Sequence, residues 1–504
     1  TTGDNNVAIG FEALKTEDAH GNNVAVGYQT LKAQDAGGAA YNVAIGYKAG
    51  TAITDGVSNT LVGGLTGDAI TEGDSNVAMG ESALSTDTLG SKSTAIGSFA
   101  LNAQNFTTAI DSHNTAVGFD SGKSVTTGRQ NTFIGSLAGD ATDDGNDNVA
   151  IGHQALSANA GDDNVAIGKD ALLVNIKNQN IAIGSHALDL DVNGSTSVAI
   201  GHNALTSQAP TSATNTYNVA IGCGAGESIS KGIQNVFIGG LVGDSLSVGI
   251  ENVAVGHGAF GTASADCRAT AIGYAALSSQ VNPNFGDNTV NTHNTAVGYN
   301  AGGSITTGKL NTFVGAAAGD GTDDGDANTA IGYAALSANC AVGNSAVGNG
   351  ALNVCTGSNN SAVGDQAGVA VTSGSNNIFL GHDAGRSGSP GGSITTADNL
   401  LVLGDEDISN AYIAVDWTVT SDERDKTDFT ALDVGLDFVN ALKPVTYKWD
   451  KRSKYVDKTK DDYDLDSITT DGTHKEDWLD VGFKAQEVEA IDKAAGYKIA
   501  DKTN

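Results

Sequence analysis

The chain has 504 residues, with 67 Gly, 4 Pro, 1 Met and 3 Trp and a formal net charge of −32. Glycine at this level without a three-residue period or much proline excludes collagen, and so acidic a surface repels phosphate backbones and excludes nucleic acid as a partner. No run of about 18 apolar residues exists, so nothing is expected to insert into a membrane.

The charge is uneven, with 12 Lys/Arg against 38 Asp/Glu in residues 1–420 and 14 against 20 in residues 421–504. The first residues show neither a signal-peptide pattern nor an initiator Met, which points to an N-terminus that is processed or trimmed. Four cysteines, Cys223, Cys267, Cys340 and Cys355, form no CxxC pair and no metal-ligand spacing, and read as free thiols.

From the N-terminus the chain repeats itself. "NNVAIGFEAL" at 5–14 returns as "NNVAVGYQTL" at 22–31 and "DNVAIGHQAL" at 147–156. The glycine closing each apolar triplet recurs from Gly10, Gly27 and Gly46 to Gly348, Gly364 and Gly381, mostly 16 or 17 residues apart. So short a period, with one β-branched strand-like segment per repeat, predicts a parallel β-solenoid. The middle residue of the triplet is almost always Ala and the next is Ile, Val, Leu or Met, so both faces of each strand are apolar. The Ala face should line the coil's own core, and the other calls for cover from a neighbouring chain. The Asn before each segment suits a tight turn, where its amide bonds local backbone and tolerates left-handed geometry.

The middle Ala becomes large at Leu61, Phe133, Phe237, Phe313 and Phe379. In each case two successive rungs have lost the usual Leu, at Gly50 and Gly67, Gly122 and Gly139, Gly226 and Gly243, Gly302 and Gly319, and Gly368 and Gly385. This is volume compensation between stacked layers. A longer repeat overlies the short one: "HNTAVGFDSGKSVTTGRQNTF" at 113–133 returns at 293–313 as "HNTAVGYNAGGSITTGKLNTF". At about 4.8 Å per rung, some 22 rungs make a rod on the order of 100 Å long.

Three longer intervals, ending at Gly118, Gly222 and Gly298, must bulge from the side of the rod, either as receptor-contacting loops or as tolerated insertions. "GDATDDGND" at 139–147 and "GDGTDDGDA" at 319–327 group Asp140, Asp143 and Asp144, and Asp320, Asp323 and Asp324. These read as solvated acidic turns, with calcium turns as the alternative, since neither follows the EF-hand order of oxygen ligands. His153, His202, His257 and His382 all follow a rung glycine, as Tyr and Phe also do. They read as side chains on one shared face, although on a threefold axis they could meet around a metal. "GHGAFG" at 256–261 is one more rung and not a dinucleotide loop.

The repeated N-(S/T/V)-(V/A)-A-(I/V)-G rungs of residues 4–385 resemble the left-handed parallel β-roll of trimeric autotransporter adhesin heads and similar runs in bacteriophage tail fibres. That resemblance implies a homotrimeric rod.

The rungs are expected to stop at Gly385, with "SGSPGGS" (387–393) as a linker and "NLLVLGDEDISNAYIAVDWTVTS" (399–421) as short strands. The apolar spacing of 433–444 predicts a helix ended by Pro444, followed by "VTYKWD" (445–450) and "DVGFKAQEVEAI" (480–491). The expected organisation is therefore a solenoid shaft over 1–386, a linker and strand transition over 387–420, and a small α+β domain over 421–504. Phe429, Leu436, Phe438, Val439, Leu442, Tyr447 and Trp449 are its expected core.

"SDERDK" (421–426), followed by "LDFVNALKPVTYKW" and "VGFKAQEVEAI", resembles the intramolecular chaperone auto-processing domain at the C-terminus of endosialidases and phage tail fibres. The resemblance implies a module that brings three chains into register and then cuts itself loose at the Ser421–Asp422 bond. Ser421 would be the nucleophile and Lys426 the general base. Residue chemistry alone allows a lysine base if burial lowers its pKa, while Asp422, Glu423 and Asp425 push the other way. Asp425 also stands where that family often has Leu or Val.

The function implied is a trimeric phage tail fibre of the virion, extracellular, attaching to a host-surface glycan or outer-membrane component and to other tail proteins. No cofactor and no enzyme activity beyond self-cleavage are expected. A bacterial trimeric surface adhesin is the alternative, and a polysaccharide-degrading tailspike a third. Against the third, Trp417, Trp449 and Trp478 all lie in or beside the C-terminal module, and no catalytic carboxylate pair stands out.

Overall fold

A computed structural model describes residues 4–18, 21–262, 268–281, 291–411, 435–455 and 469–495. The chain divides into two units, Thr1–Asp405 and Glu406–Asn504.

The first unit is a parallel β-solenoid. Its three-residue strands, from Val7–Ile9 to Leu401–Leu403, join one 23-stranded sheet. Each strand pairs in parallel with the next rung without slip: Phe133 lies opposite Ala116 on one side and Ala150 on the other. The period of about 17 residues thus returns the chain to the same place one strand spacing along the axis.

The alternation sorts the faces as expected. The central residue of every solenoid strand after the first is buried, while its neighbours are half-buried or exposed. The outward residues form a stripe of mainly Val, Ile, Thr and Leu, with Met79, Ser345 and Ser361 among them. The buried Leu of each "AL" pair adopts a left-handed backbone, at φ 48° in Leu31, 55° in Leu156 and 50° in Leu172. That conformation is costly for a residue with a Cβ, and burial of the leucine side chain offsets it.

The large residues sit where the missing leucines leave room. A Cβ added to Gly122 would stand 2.9 Å from Phe133 Cδ2, and one on Gly139 2.7 Å from Phe133 Cδ1. Leu61, Phe237, Phe313 and Phe379 approach their own pairs of glycines in the same way. The rung glycines have a different reason. At Gly118 (φ 142°) a Cβ would lie 2.4 Å from the Gly135 carbonyl oxygen in the next rung, and this contact repeats along the column.

The recurrent asparagines do something other than make local turns. The left-handed residue is the one before each of them, such as Gln130, Asp147 or Asp163. The asparagines are fully buried and form a ladder along the rod. The backbone N–H of Asn131 donates to Asn114 Oδ1 (3.0 Å), that of Asn148 to Asn131 Oδ1 (2.9 Å) and that of Asn164 to Asn148 Oδ1 (2.9 Å). Most Nδ2 groups donate to a carbonyl of the adjoining turn, as Asn131 does to Gly145 (2.9 Å), while that of Asn23 is buried without a hydrogen bond. A primary amide suits this place because it offers both acceptor and donor to buried backbone.

The solenoid carries one rung beyond the boundary expected at residue 386. Leu401–Leu403 pairs in register with Ile378–Leu380. The "SGSPGGS" stretch is an enlarged loop within that last rung, not a linker after it. Ser389 is buried, its hydroxyl accepting from the Gly385 N–H (2.9 Å) and donating to the Gly404 carbonyl (2.9 Å). Leu400 in place of the usual Asn and Val402 in place of the usual Ala, after a 23-residue interval from Gly381 to Gly404, hid this rung.

In the second unit, a helix at Gly435–Ala441 precedes the strand Val445–Tyr447. That strand pairs antiparallel with Asp480–Gly482, and a helix at Ala485–Ala495 follows. The helix ends before Pro444, as proline requires.

Candidate functional site

Ser421, Asp422 and Lys426 lie outside the described residues, as does Phe429 of the expected core. Downstream of them, residues 435–455 and 469–495 are described. Leu436, Val439 and Trp449 are 73 %, 60 % and 47 % exposed, and Trp478, Leu479, Val481 and Phe483 are exposed with them. Of the expected core, Phe438, Leu442 and Tyr447 are half-buried, while Leu436, Val439 and Trp449 present an apolar surface among the described residues. Polar contacts are local: the Tyr455 hydroxyl donates to Asp450 Oδ1 (2.9 Å), and the Gly472 N–H donates to Asp450 Oδ2 (2.9 Å).

Along the shaft, the bulges are anchored by a network that sequence reasoning missed. Gln34, Gln104, Gln208 and Gln280 are fully buried, and each accepts from the asparagine that resumes the ladder. Asn114 Nδ2 donates to Gln104 Oε1 (2.8 Å), and Asn218 Nδ2 to Gln208 Oε1 (2.8 Å). Two bulges add a buried carboxylate. Asp87 accepts from Gln104 Nε2 (2.6 Å), and Asp191 accepts from Gln208 Nε2 (2.7 Å) and the Gly194 N–H (2.7 Å). Burial holds Asp191 above the usual carboxylate range. The loops are tied down further by short parallel pairs, Gly90–Ser91 with Ile110–Asp111 and Gly194–Ser195 with Thr214–Asn215. A signal was available: "LKAQ", "LNAQ", "LTSQ" and "LSSQ" stand at the start of intervals of 19 to 25 residues, where the other Leu-bearing rungs have no Gln.

The acidic turns are knit along the axis. Asp143 and Asp323 accept from Thr126 and Thr306 of the preceding rung, while their N–H groups donate to Asn159 Oδ1 (2.9 Å) and Asn339 Oδ1 (3.0 Å) of the following one. Asp140 accepts from the Ser157 hydroxyl (2.5 Å). Asp144 and Asp324 are exposed, and Asp320 Oδ1 is buried without a hydrogen bond. Among the described residues no group of three or more His, Cys, Asp or Glu is arranged to hold a metal ion.

The residues after the rung glycines share one exposed column. Phe11, Tyr28 and Tyr47 stack face to face at 5.3 and 5.5 Å between centroids, and His257, Tyr274 and Tyr299 at 5.7 and 5.4 Å. His202 meets His186 edge-on, and His382 faces carboxylates.

Residues 421–497 match the family described as chaperone of endosialidase. This chain is tail-fibre-like: a β-solenoid with a C-terminal chaperone domain. The match begins at Ser421, and the helix–strand–strand–helix order downstream of it is the part of the chaperone domain described above. No curated protein matches the chain. Among the described residues no helix is long and apolar enough to cross a membrane.

Proposed function

We infer that the protein is a homotrimeric attachment fibre of a phage virion whose chaperone domain aligns three chains and then releases itself by cutting the Ser421–Asp422 bond. The observation that carries this reading is the chaperone match directly downstream of an uninterrupted solenoid. Two apolar surfaces support self-association. One is the stripe of outward Val and Ile along the strands, for which Ile134, Ile238 and Ile331 are examples at 40 %, 39 % and 41 % exposure. The other is the exposed group around Leu436 and Val439 in the chaperone domain. A chain of charge −32 can bring like copies together only along such uncharged surfaces.

Parallel pairings between distant segments form slowly and are open to slips. Repeated, near-identical rungs make a one-rung slip between chains an acute hazard, and a terminal module that pairs chain ends removes it. In the cut, Lys426 accepts the Ser421 hydroxyl proton as Ser421 Oγ adds to the carbonyl carbon of the Ser421–Asp422 bond. The C–N bond breaks as that proton passes to the Asp422 amine, and water hydrolyses the resulting ester to a Ser421 carboxylate. The insertion loops near Phe106–Asp111 and Ala209–Tyr217 offer host-contacting surfaces that do not disturb the stack. A bacterial surface adhesin is the second reading, favoured by the shaft alone.

The test is paired expression of the wild type and Ser421→Ala, run on a denaturing gel with light scattering on the native material. A C-terminal fragment of roughly 80 residues in the wild type only, from particles three chains in mass, is the expected result. Full-length bands in both would remove self-cleavage, and a monomeric mass in both would remove the fibre.

A further inference from the structure

The last rung of the solenoid is held by a cluster centred on His382. Its Nδ1 lies 3.1 Å from Asp405 Oδ2 in the rung that follows, and its Nε2 3.7 Å from Asp365 Oδ2 in the rung that precedes. Asp383, on its own rung, stands 3.8 Å from Nδ1. One imidazole thus spans three rungs. The surrounding charges are themselves fixed: Asn349 Nδ2 donates to Asp365 (2.7 Å), and Arg386 Nη1 donates to both Asp383 oxygens (3.1 Å each) and to Gln366 (2.8 Å). Among the groups facing the ring, Arg386 is the cation and Asp365, Asp383 and Asp405 the anions.

The rung beneath this cluster closes the rod. Val402 and Ile394 are buried over the Phe379 layer, and the Gly404 N–H donates to the Leu380 carbonyl (2.7 Å). Without that rung, Ile378–Leu380 would become a bare sheet edge with hydrophobic outward residues, the kind of edge that pairs with other chains.

The geometry points to a pH-sensitive clasp: protonated His382 ties Asp365 to Asp405 and pins the terminal rung, and loss of that proton loosens it. The imidazolium hydrogen-bonds Asp405 and carries a charge that attracts the Asp365 carboxylate 3.7 Å from Nε2, whereas the neutral ring has a single N–H and no charge. The hydrogen bond to Asp405 and the other two carboxylates hold the ring's pKa above its ordinary 6.5. A pKa raised by folding gives stability that is complete below the unfolded value, near 6.5, and fades as pH climbs through the folded one. The clasp is therefore shut in mildly acidic solution and loosens as pH rises past the ring's raised pKa. Because the ring is largely exposed, its effect is modest and falls with added salt.

Hydrogen exchange of the intact chain, read by mass spectrometry between pH 6 and 9 and corrected for intrinsic rates, tests this. Protection of the amides of 401–404, relative to the interior rung 149–151, should fall about two- to fivefold across that range, the scale of an exposed ion pair. His382→Gln should show the loosened value at every pH, and His382→Lys, a permanent cation, the tight one. Wild-type protection at 401–404 that tracks the interior rung throughout would overturn the clasp, as would a pH dependence that survives in His382→Gln.

Discussion

Phe133 and the glycines above and below it express in three residues the packing rule of the shaft. Phe133→Ala should cost about 3–5 kcal/mol through the void it leaves. Gly139→Leu alone should also destabilise, since its side chain would drive into the Phe133 ring. The two together rebuild the common Ala–Leu layer, with a leucine at a left-handed site that accepts leucine elsewhere. The double variant should therefore recover a large part of the loss, and denaturant midpoints of all four proteins give the coupling. This compensation was legible in the sequence because both partners deviate together, five times in one chain.

The thiols divide by the same criterion. Burial pushes Cys340 up to about 11, and Cys355 is raised for the same reason, while Cys223 is exposed. At pH 8 an aromatic disulfide reagent should label Cys223 and leave Cys340 and Cys355 untouched until the protein is unfolded, as peptide mapping would reveal. Equal labelling of the three would mean that the core at Cys340 and Cys355 is open to solvent.

Among elements, the asparagine ladder is the part the sequence disguised. An Asn ahead of a strand is most simply a turn former, and nothing in a single repeat distinguishes that role from a bond to the next rung. Only stacking creates the partner, since the acceptor for one rung's N–H is an amide about 17 residues away. Asn148→Ala strands the buried Asn164 N–H, which now donates to Asn148 Oδ1 at 2.9 Å. At about 1–3 kcal/mol for a stranded buried group, thermal unfolding should begin several degrees lower than in Asp144→Ala, whose side chain is exposed. Equal melting of the two variants would show that the amide column contributes nothing. The extended rungs illustrate a second kind of concealment. Their "LxxQ" signature was present but carried no meaning until the glutamine was seen to stand in for an asparagine that the bulge had displaced. The last rung was hidden by its long loop, whose composition mimics a tether.

At the scale of the whole molecule, the outward stripe is where the proposed trimer can be tested. Ile238→Lys places a charge where a single chain tolerates it, half in solvent, but where a threefold contact would have to desolvate it. Light scattering should then report a fall in mass toward a single chain, with the β-type circular dichroism kept; an unchanged mass would put the contact elsewhere. The C-terminal unit was legible as motifs and less so as a structure, because among its described residues the large apolar side chains are divided between half-buried ones such as Phe438 and Tyr447 and exposed ones such as Leu436 and Trp478, so no single inward face stands out. The identical contacts of successive rungs have a further consequence, for heredity. The near-copies at 113–145 and 293–325 are 180 residues apart, the spacing of Gly118 and Gly298. Misaligned recombination between them would excise ten rungs, about 48 Å of shaft, and leave a join indistinguishable from the parent. A gene built this way can retune the reach of its product in a single event, without ever passing through a misfolded intermediate length.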